Sequence, residues 1–581
     1  MSPFDESAVG NIGSPSTTTR VTVDILEPAS NAPLRGELVY LAHPLGHRCL
    51  IAIGTVTEIL TMNRWHEDPN MRGVLKRYGS LPHLSGVGDV RTADVVVQAA
   101  YMADGPDPAS GEPPQESAGS LTMSPTTGAK VSRVDDEFLT NLLRRHRDEI
   151  TYLGKIYRTD VKMPVTIRHF GATGAGGSGE AYHTGIFGMT GSGKSVLAAY
   201  LMAAQLRHPE IGVIVIDPQG QFTTEEGLPF SLQEWAEAQG REVLTYRLSS
   251  DLRLQKDAIL LTDLLLETRF FKDVLTIRGD EQRESAAAEF RRVIQSIEKW
   301  EHKTAAEVLR ATLGDLANDP QALMRIYASQ QTRSRLEQTI TSILGSASEF
   351  SVALTEFEPL HSLFTDRGPG QRKRHSLYGV IDKALTVESA RPFVVIDFSS
   401  TDGGGEILES GRVKARLLRI VCSVINRRAE EQYKDGKRMN VLVVFDEAHR
   451  FASDDAEFDS QRELSERLVD YVRTTRKYGL GWMFITQEVG SLRRGIYTQL
   501  RVRCFGYGLT SGTELRRLQE TIGDRAALEL YQSFVDPQAM KPSQYPFMLT
   551  GPISPLSFTG APVFVSVFTS FDEFRSANGS V

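Results

Sequence analysis

The sequence predicts an α/β protein: a mostly parallel sheet, interrupted by a helical insertion and preceded by a small β-rich unit. Three observations carry this expectation. Residues 183–222 run strand, Gly-rich turn, helix, strand, the alternation of a parallel α/β unit. After a long stretch of helical periodicity, buried-strand patterns resume at 391–398 and 440–445 and recur at 481–486 and 502–508. Before residue 104, short Val/Ile/Thr-rich runs are punctuated by Gly, Pro and Asn, which suggests a small barrel or sandwich.

A chain of 581 residues is too long for one core, since single cores stop growing at roughly 250–300 residues. Residues 1–20, rich in Ser, Thr and Gly, are expected as a flexible tail. Residues 21–165 are expected as the N-terminal β unit, with a disordered Gly/Pro/Ser/Thr-rich excursion at about 104–130. The first part of the α/β core spans 166–256. The helical insertion at 257–386 follows from the periodicity of 286–300, 304–315 and 322–346. The core resumes over 387–535, and 536–581 is left as a C-terminal segment and tail.

The composition is that of a soluble globular protein, with 40% hydrophobic and 24% charged residues. The longest apolar runs are far short of the ~20 residues that span a bilayer, and the first 20 residues lack an apolar signal core, so a cytoplasmic protein without membrane contact is expected. Cys49, Cys422 and Cys504 lie far apart and form no CxxC pair, which argues for buried thiols rather than a disulfide or zinc site. The formal charge of −8 offers nucleic acid no global attraction, so any such contact needs a local basic lining.

The chemistry is concentrated in a few strings. Gly188, Met189, Thr190, Gly191, Ser192, Gly193, Lys194 and Ser195 fit the G-x-x-x-x-G-K-[ST] phosphate loop, between the strand pattern at 184–187 and a helix beginning at Val196, and these residues together with Val196 are expected to hold the nucleotide. Backbone N–H groups of such a loop cradle phosphate, Lys194 reaches the β- and γ-phosphates of ATP, and the Ser195 hydroxyl ligates Mg²⁺. Val441-Leu-Val-Val-Phe445 ends in Asp446-Glu447, as a Walker B strand does. Asp446 would hold Mg²⁺ through water, and Glu447 would polarise the water that attacks the γ-phosphate.

Other strand ends have two readings. Asp217 either caps the Pro218-Gly220 turn or lines the ligand crevice, and Asp397 has the same choice, with the structural role favoured. Gln487, after the strand pattern at 481–486, senses the γ-phosphate or satisfies a loop. Arg476, before Lys477-Tyr478-Gly479, either belongs to a basic helix C-terminus or reaches a neighbouring subunit's ATP as an arginine finger.

In this order, His183-Thr-Gly-Ile-Phe-Gly-Met-Thr-Gly-Ser-Gly-Lys-Ser, Asp217-Pro-Gln-Gly-Gln-Phe222, Asp446-Glu-Ala-His, Arg476-Lys-Tyr-Gly-Leu-Gly and Thr486-Gln487 resemble the HerA branch of the HerA/FtsK translocases. The resemblance implies an N-terminal β-barrel, a RecA-like P-loop NTPase core split by a helical insertion, and a C-terminal brace. It also implies a homo-hexamer threading double-stranded DNA through its channel and working with a nuclease or other effector, as in antiphage systems, and it favours Arg476 as a trans finger. The activity expected is ATP hydrolysis by a translocase or helicase-like motor. A rival from another class is a nucleotide-gated scaffold that licenses an effector without moving along DNA. One departure stands out: Gln219 and Gln221 stand where the family usually has His and Glu, so neither can ionise, though both can hydrogen-bond.

Overall fold

The computed structural model describes residues 7–45, 47–104, 116–117, 119–368, 372–386, 390–399 and 405–579. Near the N-terminus, six antiparallel strands close on themselves: Ala8–Ile12, Arg20–Ile25, Leu38–Leu45, Arg48–Met62, Val90–Asp104 and Lys130–Arg133. Closure comes from pairing of Arg20–Ile25 with Val90–Asp104, Val21 opposite Val95. Alternate residues, among them Val21, Val23, Val39, Leu41, Ala52, Val95 and Val97, fill the interior, as a small barrel requires.

The barrel corrects two expectations. Residues 1–20 are not all tail: Ala8–Ile12 is a barrel strand, Gly10 opposite Ile25, with Val9 and Ile12 buried. The apolar interior rewards even this short, Gly-containing run. Of the expected excursion, 105–115 and 118 lie outside the described residues, but Leu121 is buried in the barrel core.

The main sheet has eleven strands. Seven are parallel, in the order Val243–Arg247, Phe393–Asp397, Gly212–Asp217, Val441–Phe445, Leu480–Thr486, Thr184–Phe187, Val502–Gly506. Four antiparallel strands extend it: Tyr545–Thr550, Val563–Val567, Ile150–Ile156 and Lys162–Thr166. Because successive side chains point to opposite faces, Val213 and Val215 join one apolar cluster with the helices Lys194–Leu206 and Leu232–Ala238. Ile214 and Ile216 join the other, with Gly411–Lys434 and Asp459–Thr475. Such near-continuous apolar strands are what burial on both faces demands.

Two boundaries shift accordingly. Ile150–Ile156 and Lys162–Thr166 belong to this sheet rather than to the barrel, because Leu153, Ile156, Met163 and Val165 are buried with Val565 and Val567. The C-terminal segment is no loose tail: it supplies two strands, and Phe574 of the helix Phe571–Asn578 packs on Tyr200, Phe230 and Trp235.

The insertion is helical from Ala258–Leu266 to Ala347–Ser362, its helices burying Leu261, Leu265, Phe290, Leu309, Leu313 and Phe357 against one another. Thr304 and Glu307 form a capping box at the start of Ala305–Asn318. A two-residue parallel pairing of Leu252–Arg253 with His375–Ser376 closes its root. The helix Leu377–Thr386 then packs on Gly212–Asp217, so it serves the core as the crossover into Phe393–Asp397.

Candidate active site

Register brings the chemical residues to one edge of the sheet. Asp217 is opposite Asp397, Ile216 is opposite Phe445, and Phe445 is opposite Phe484, so Asp446 and Glu447 leave the sheet beside Asp217. Phe187 is opposite Thr486, which sets Gly188 next to Gln487. One additional strand, Leu480–Thr486, therefore lies between the phosphate-loop strand and the strand bearing the two acids. This edge is the C-terminal end of the parallel strands, where open α/β sheets bind ligands.

The loop itself is shaped by backbone. Gly191 and Gly193 have φ of +82° and +89°, left-handed values that side-chain-bearing residues rarely adopt. Gly193 caps Lys194–Leu206 without any side-chain hydrogen bond, leaving the first-turn N–H groups for an anion. The Lys194 ammonium donates to the Met189 carbonyl at 3.0 Å. Burial lowers its pKa, while the charges of Glu447 and Asp446 work in the opposite sense. The Ser195 hydroxyl donates to Gln221 Oε1 at 2.9 Å.

Asp446 is buried, and its Oδ2 finds no hydrogen-bond partner among the described residues. Burial first, then the neighbouring Glu447 and Asp217, push its pKa up to about 7. An orphaned, destabilised carboxylate at the same sheet edge as the Ser195 hydroxyl is a donor set that suits Mg²⁺, a hard cation bound through one or two carboxylates, substrate phosphates and water.

Glu447 has φ of +48°, strained backbone for a non-glycine residue of the kind that clusters at functional sites. Burial acts to raise its pKa, but His449 Nδ1, 3.0 Å from Oε2, together with Lys194 and Arg450, outweighs burial and lowers it. Glu447 is accordingly ionised at neutral pH.

Both ambiguous aspartates serve the backbone. Asp217 accepts from the Gly220, Gln221 and Thr223 N–H groups at 2.9–3.1 Å and from the Thr223 hydroxyl at 3.0 Å. Asp397 accepts from the Ser399 N–H at 2.7 Å and pairs with Arg247 at 3.6 Å. Gln487 stands half-buried just past its strand.

Arg476 is not brought to this edge. It precedes Leu480–Thr486, whose seven residues span roughly 20 Å at ~3.3 Å each, so it sits at the opposite end of the sheet. There it pairs with Glu180, both side chains about half exposed at 51% and 43%.

The sequence reading missed several neighbours of the site. With its amide oxygen turned toward Arg450, Gln219 accepts from that guanidinium at 2.9 and 3.2 Å. His449 and Arg450 immediately follow the acid pair, a signal that was available. Gln538 and Tyr545, which also touch the phosphate loop, carry no local signal.

Residues 181–429 match the family model described as "Helicase HerA, central domain". Solved structures resemble the chain more distantly. VirB4 of Thermoanaerobacter pseudethanolicus is 15% identical, covering 73% of this chain and 98% of that one, with a TM-score of 0.40. The bacterial conjugative coupling protein TrwBdeltaN70 is 14% identical, covering 75% and 92%, with a TM-score of 0.38. The genome packaging NTPase B204 from Sulfolobus turreted icosahedral virus 2, in complex with AMPPCP, is 10% identical, covering 67% and 98%, with a TM-score of 0.29. No curated protein matches. The family match thus covers residues 181–429, the stretch that carries the phosphate loop and the strands Gly212–Asp217 and Phe393–Asp397, and over that stretch the chain is similar to the central domain of HerA helicases.

Proposed function

We propose that the chain is an ATP-driven motor that assembles as a homo-hexamer, threads double-stranded DNA and serves a nuclease or other effector. The observation that carries the catalytic part is the convergence of Lys194, Ser195, Asp446, Glu447 and Gln487 at one sheet edge, with an additional strand between the loop and the acids. Lys194 neutralises charge on the β- and γ-phosphates. Glu447, ionised and set in strained backbone, polarises the attacking water, and Gln487 orients it. Mg²⁺ would be held by Ser195 and, through water, by Asp446; bound there it offsets phosphate charge.

The ring reading is supported by Arg476, exposed at the far edge of the sheet and beyond reach of its own phosphate loop. An arginine at that position is placed to act on the nucleotide of a neighbouring copy rather than on its own. Because the chain is acidic overall, DNA contacts are expected to be local, directed to phosphates and sensitive to salt.

Triplex displacement on long duplex DNA tests the motor. ATP-dependent displacement, lost in Glu447→Gln, is the expected result. Robust ATP hydrolysis without displacement, in hexamers confirmed by native mass spectrometry, would favour a nucleotide-gated scaffold instead.

A further inference from the structure

The C-terminal segment lies on the phosphate loop. Val502–Gly506 and Tyr545–Thr550 run antiparallel with Gly506 opposite Phe547, so Tyr545 stands two residues beyond Gly506 at the ligand edge. The loop leaves its own strand at that edge, since Phe187 is opposite Phe505. A Cβ on Gly193 would lie 2.5 Å from the Tyr545 ring, and one on Gly191 would collide with the Gln538 side-chain amide. Met189 borders the same spot: its N–H donates to the Tyr507 carbonyl at 3.0 Å, its side chain packs on Gly508, and it remains 52% exposed. Among the described residues, neither the Gln538 amide nor the Tyr545 hydroxyl has a hydrogen-bond partner.

Sheet order fixes which end of a nucleotide these residues meet. Asp446 and Glu447 lie two strands to one side of the phosphate-loop strand, and the γ-phosphate must point toward them. The α-phosphate and nucleoside then leave the loop on the other side, over Val502–Gly506 and Tyr545–Thr550. That is where Met189, Gln538 and Tyr545 stand.

We infer that these three residues form the nucleoside side of the site, within the same chain. The Tyr545 ring and the Met189 side chain flank the base and ribose, and the Gln538 amide, both donor and acceptor, hydrogen-bonds the ribose or α-phosphate. The ligand class is a nucleoside triphosphate rather than a bare polyphosphate. This role rests on the ATP reading of the phosphate loop proposed above. It also ties the segment that follows Phe534 to nucleotide occupancy in its own subunit.

Calorimetric binding of ATP and of inorganic tripolyphosphate to the full chain, both with Mg²⁺, separates nucleoside contacts from phosphate contacts. Tyr545→Ala and Gln538→Ala are expected to weaken ATP by about tenfold, the scale of one base–aromatic contact, while leaving tripolyphosphate unchanged. Tyr545→Phe keeps the ring and its packing and is expected to bind ATP as wild type does. Unaltered ATP affinity in both alanine variants would overturn the inference. So would an equal loss for both ligands, which would mean that Tyr545 and Gln538 only support the shape of the loop. Lys194→Ala is the separate control and should weaken both ligands. Retention of both by Lys194→Ala would instead sink the phosphate-loop reading itself.

Discussion

The Ser195 hydroxyl donates to the Gln221 side-chain carbonyl at 2.9 Å, joining the first turn of the phosphate-loop helix to the turn after Gly212–Asp217. That turn is held by Asp217, whose carboxylate accepts from the Gln221 N–H, and Asp217 in turn raises the pKa of Asp446. Position 221 thus touches the hydroxyl proposed to bind Mg²⁺ and borders a crowded pair of acids. A neutral amide serves there as acceptor without adding charge.

Gln221→Glu restores the residue type usual in the resembling family. A third carboxylate beside Asp217 and Asp446 should destabilise the protein in EDTA by about 1 kcal/mol, the ordinary size of a single-site effect. Mg²⁺ should remove that deficit, and its half-saturating concentration in the ATPase assay should fall. Melting curves with and without Mg²⁺ check both halves, and equal Mg²⁺ dependence in variant and wild type would count against position 221 as a neighbour of the cation.

Lys194→Ala and Glu447→Gln should separate binding from turnover. Loss of a charge-assisted phosphate contact should weaken ATP binding by about 1.5–3 kcal/mol. Glu447→Gln should bind ATP as wild type does and lose roughly 10²–10⁴-fold in turnover, the range of general-base contributions. Single-turnover hydrolysis beside equilibrium binding distinguishes the two. A Glu447→Gln protein with full turnover would remove Glu447 from the mechanism.

The strings that converge at the proposed site were legible in the sequence because their pattern is local. A glycine at +89°, a lysine and a hydroxyl must follow one another for the loop to form, and an acid pair must end a buried strand. What depended on pairing between distant segments was not legible. Ala8–Ile12 contains only two strongly apolar side chains, and it reads as a strand only once Ile25 is known to lie opposite Gly10. Ile150–Ile156 alternates well enough to be a strand, but nothing within it says that its partner is Val563–Val567 rather than the barrel. Tyr545 meets Gly193 through a register set some 350 residues from the loop, and no motif records such a contact. The two amides at 219 and 221 were visible as departures. Their partners, Arg450 and Ser195, were not.

His183 should titrate far below an ordinary histidine. Its Nδ1 accepts from the Trp482 N–H at 3.1 Å, which leaves Nε2 to donate to the Val472 carbonyl at 2.9 Å, so the buried ring is neutral. Burial pushes its pKa down from 6.5 to about 4. Between those values the unfolded chain binds a proton at this site and the folded chain does not. Its contribution to stability is therefore present above pH 6.5 and lost as pH falls toward 4. Histidine ring shifts followed by NMR should show a midpoint near 4 for His183. A midpoint near 6.5 would show that the ring is not held neutral by burial.

The Arg476–Glu180 pair determines what Arg476→Ala means. An ion pair between half-exposed side chains is worth about 0–1 kcal/mol, so its loss should scarcely move the melting temperature. Glu180→Gln removes the same pair while keeping the arginine and should leave hydrolysis near wild type. If Arg476 acts on a neighbouring subunit's ATP, Arg476→Ala should still fold, bind ATP and assemble, yet lose about 10³-fold in hydrolysis, the lower end of arginine-finger effects. Mixing then tests direction. Arg476→Ala subunits retain a sound phosphate loop, and Lys194→Ala subunits retain a sound finger. Mixed rings should regain part of the activity that neither variant shows alone, because some interfaces pair a working loop with a working arginine. If native mass spectrometry finds both variants in one ring and hydrolysis still does not recover, Arg476 does not act across the interface. The loss would then have to arise within its own subunit, where Arg476 pairs with Glu180 and its carbonyl accepts from the Ala181 N–H.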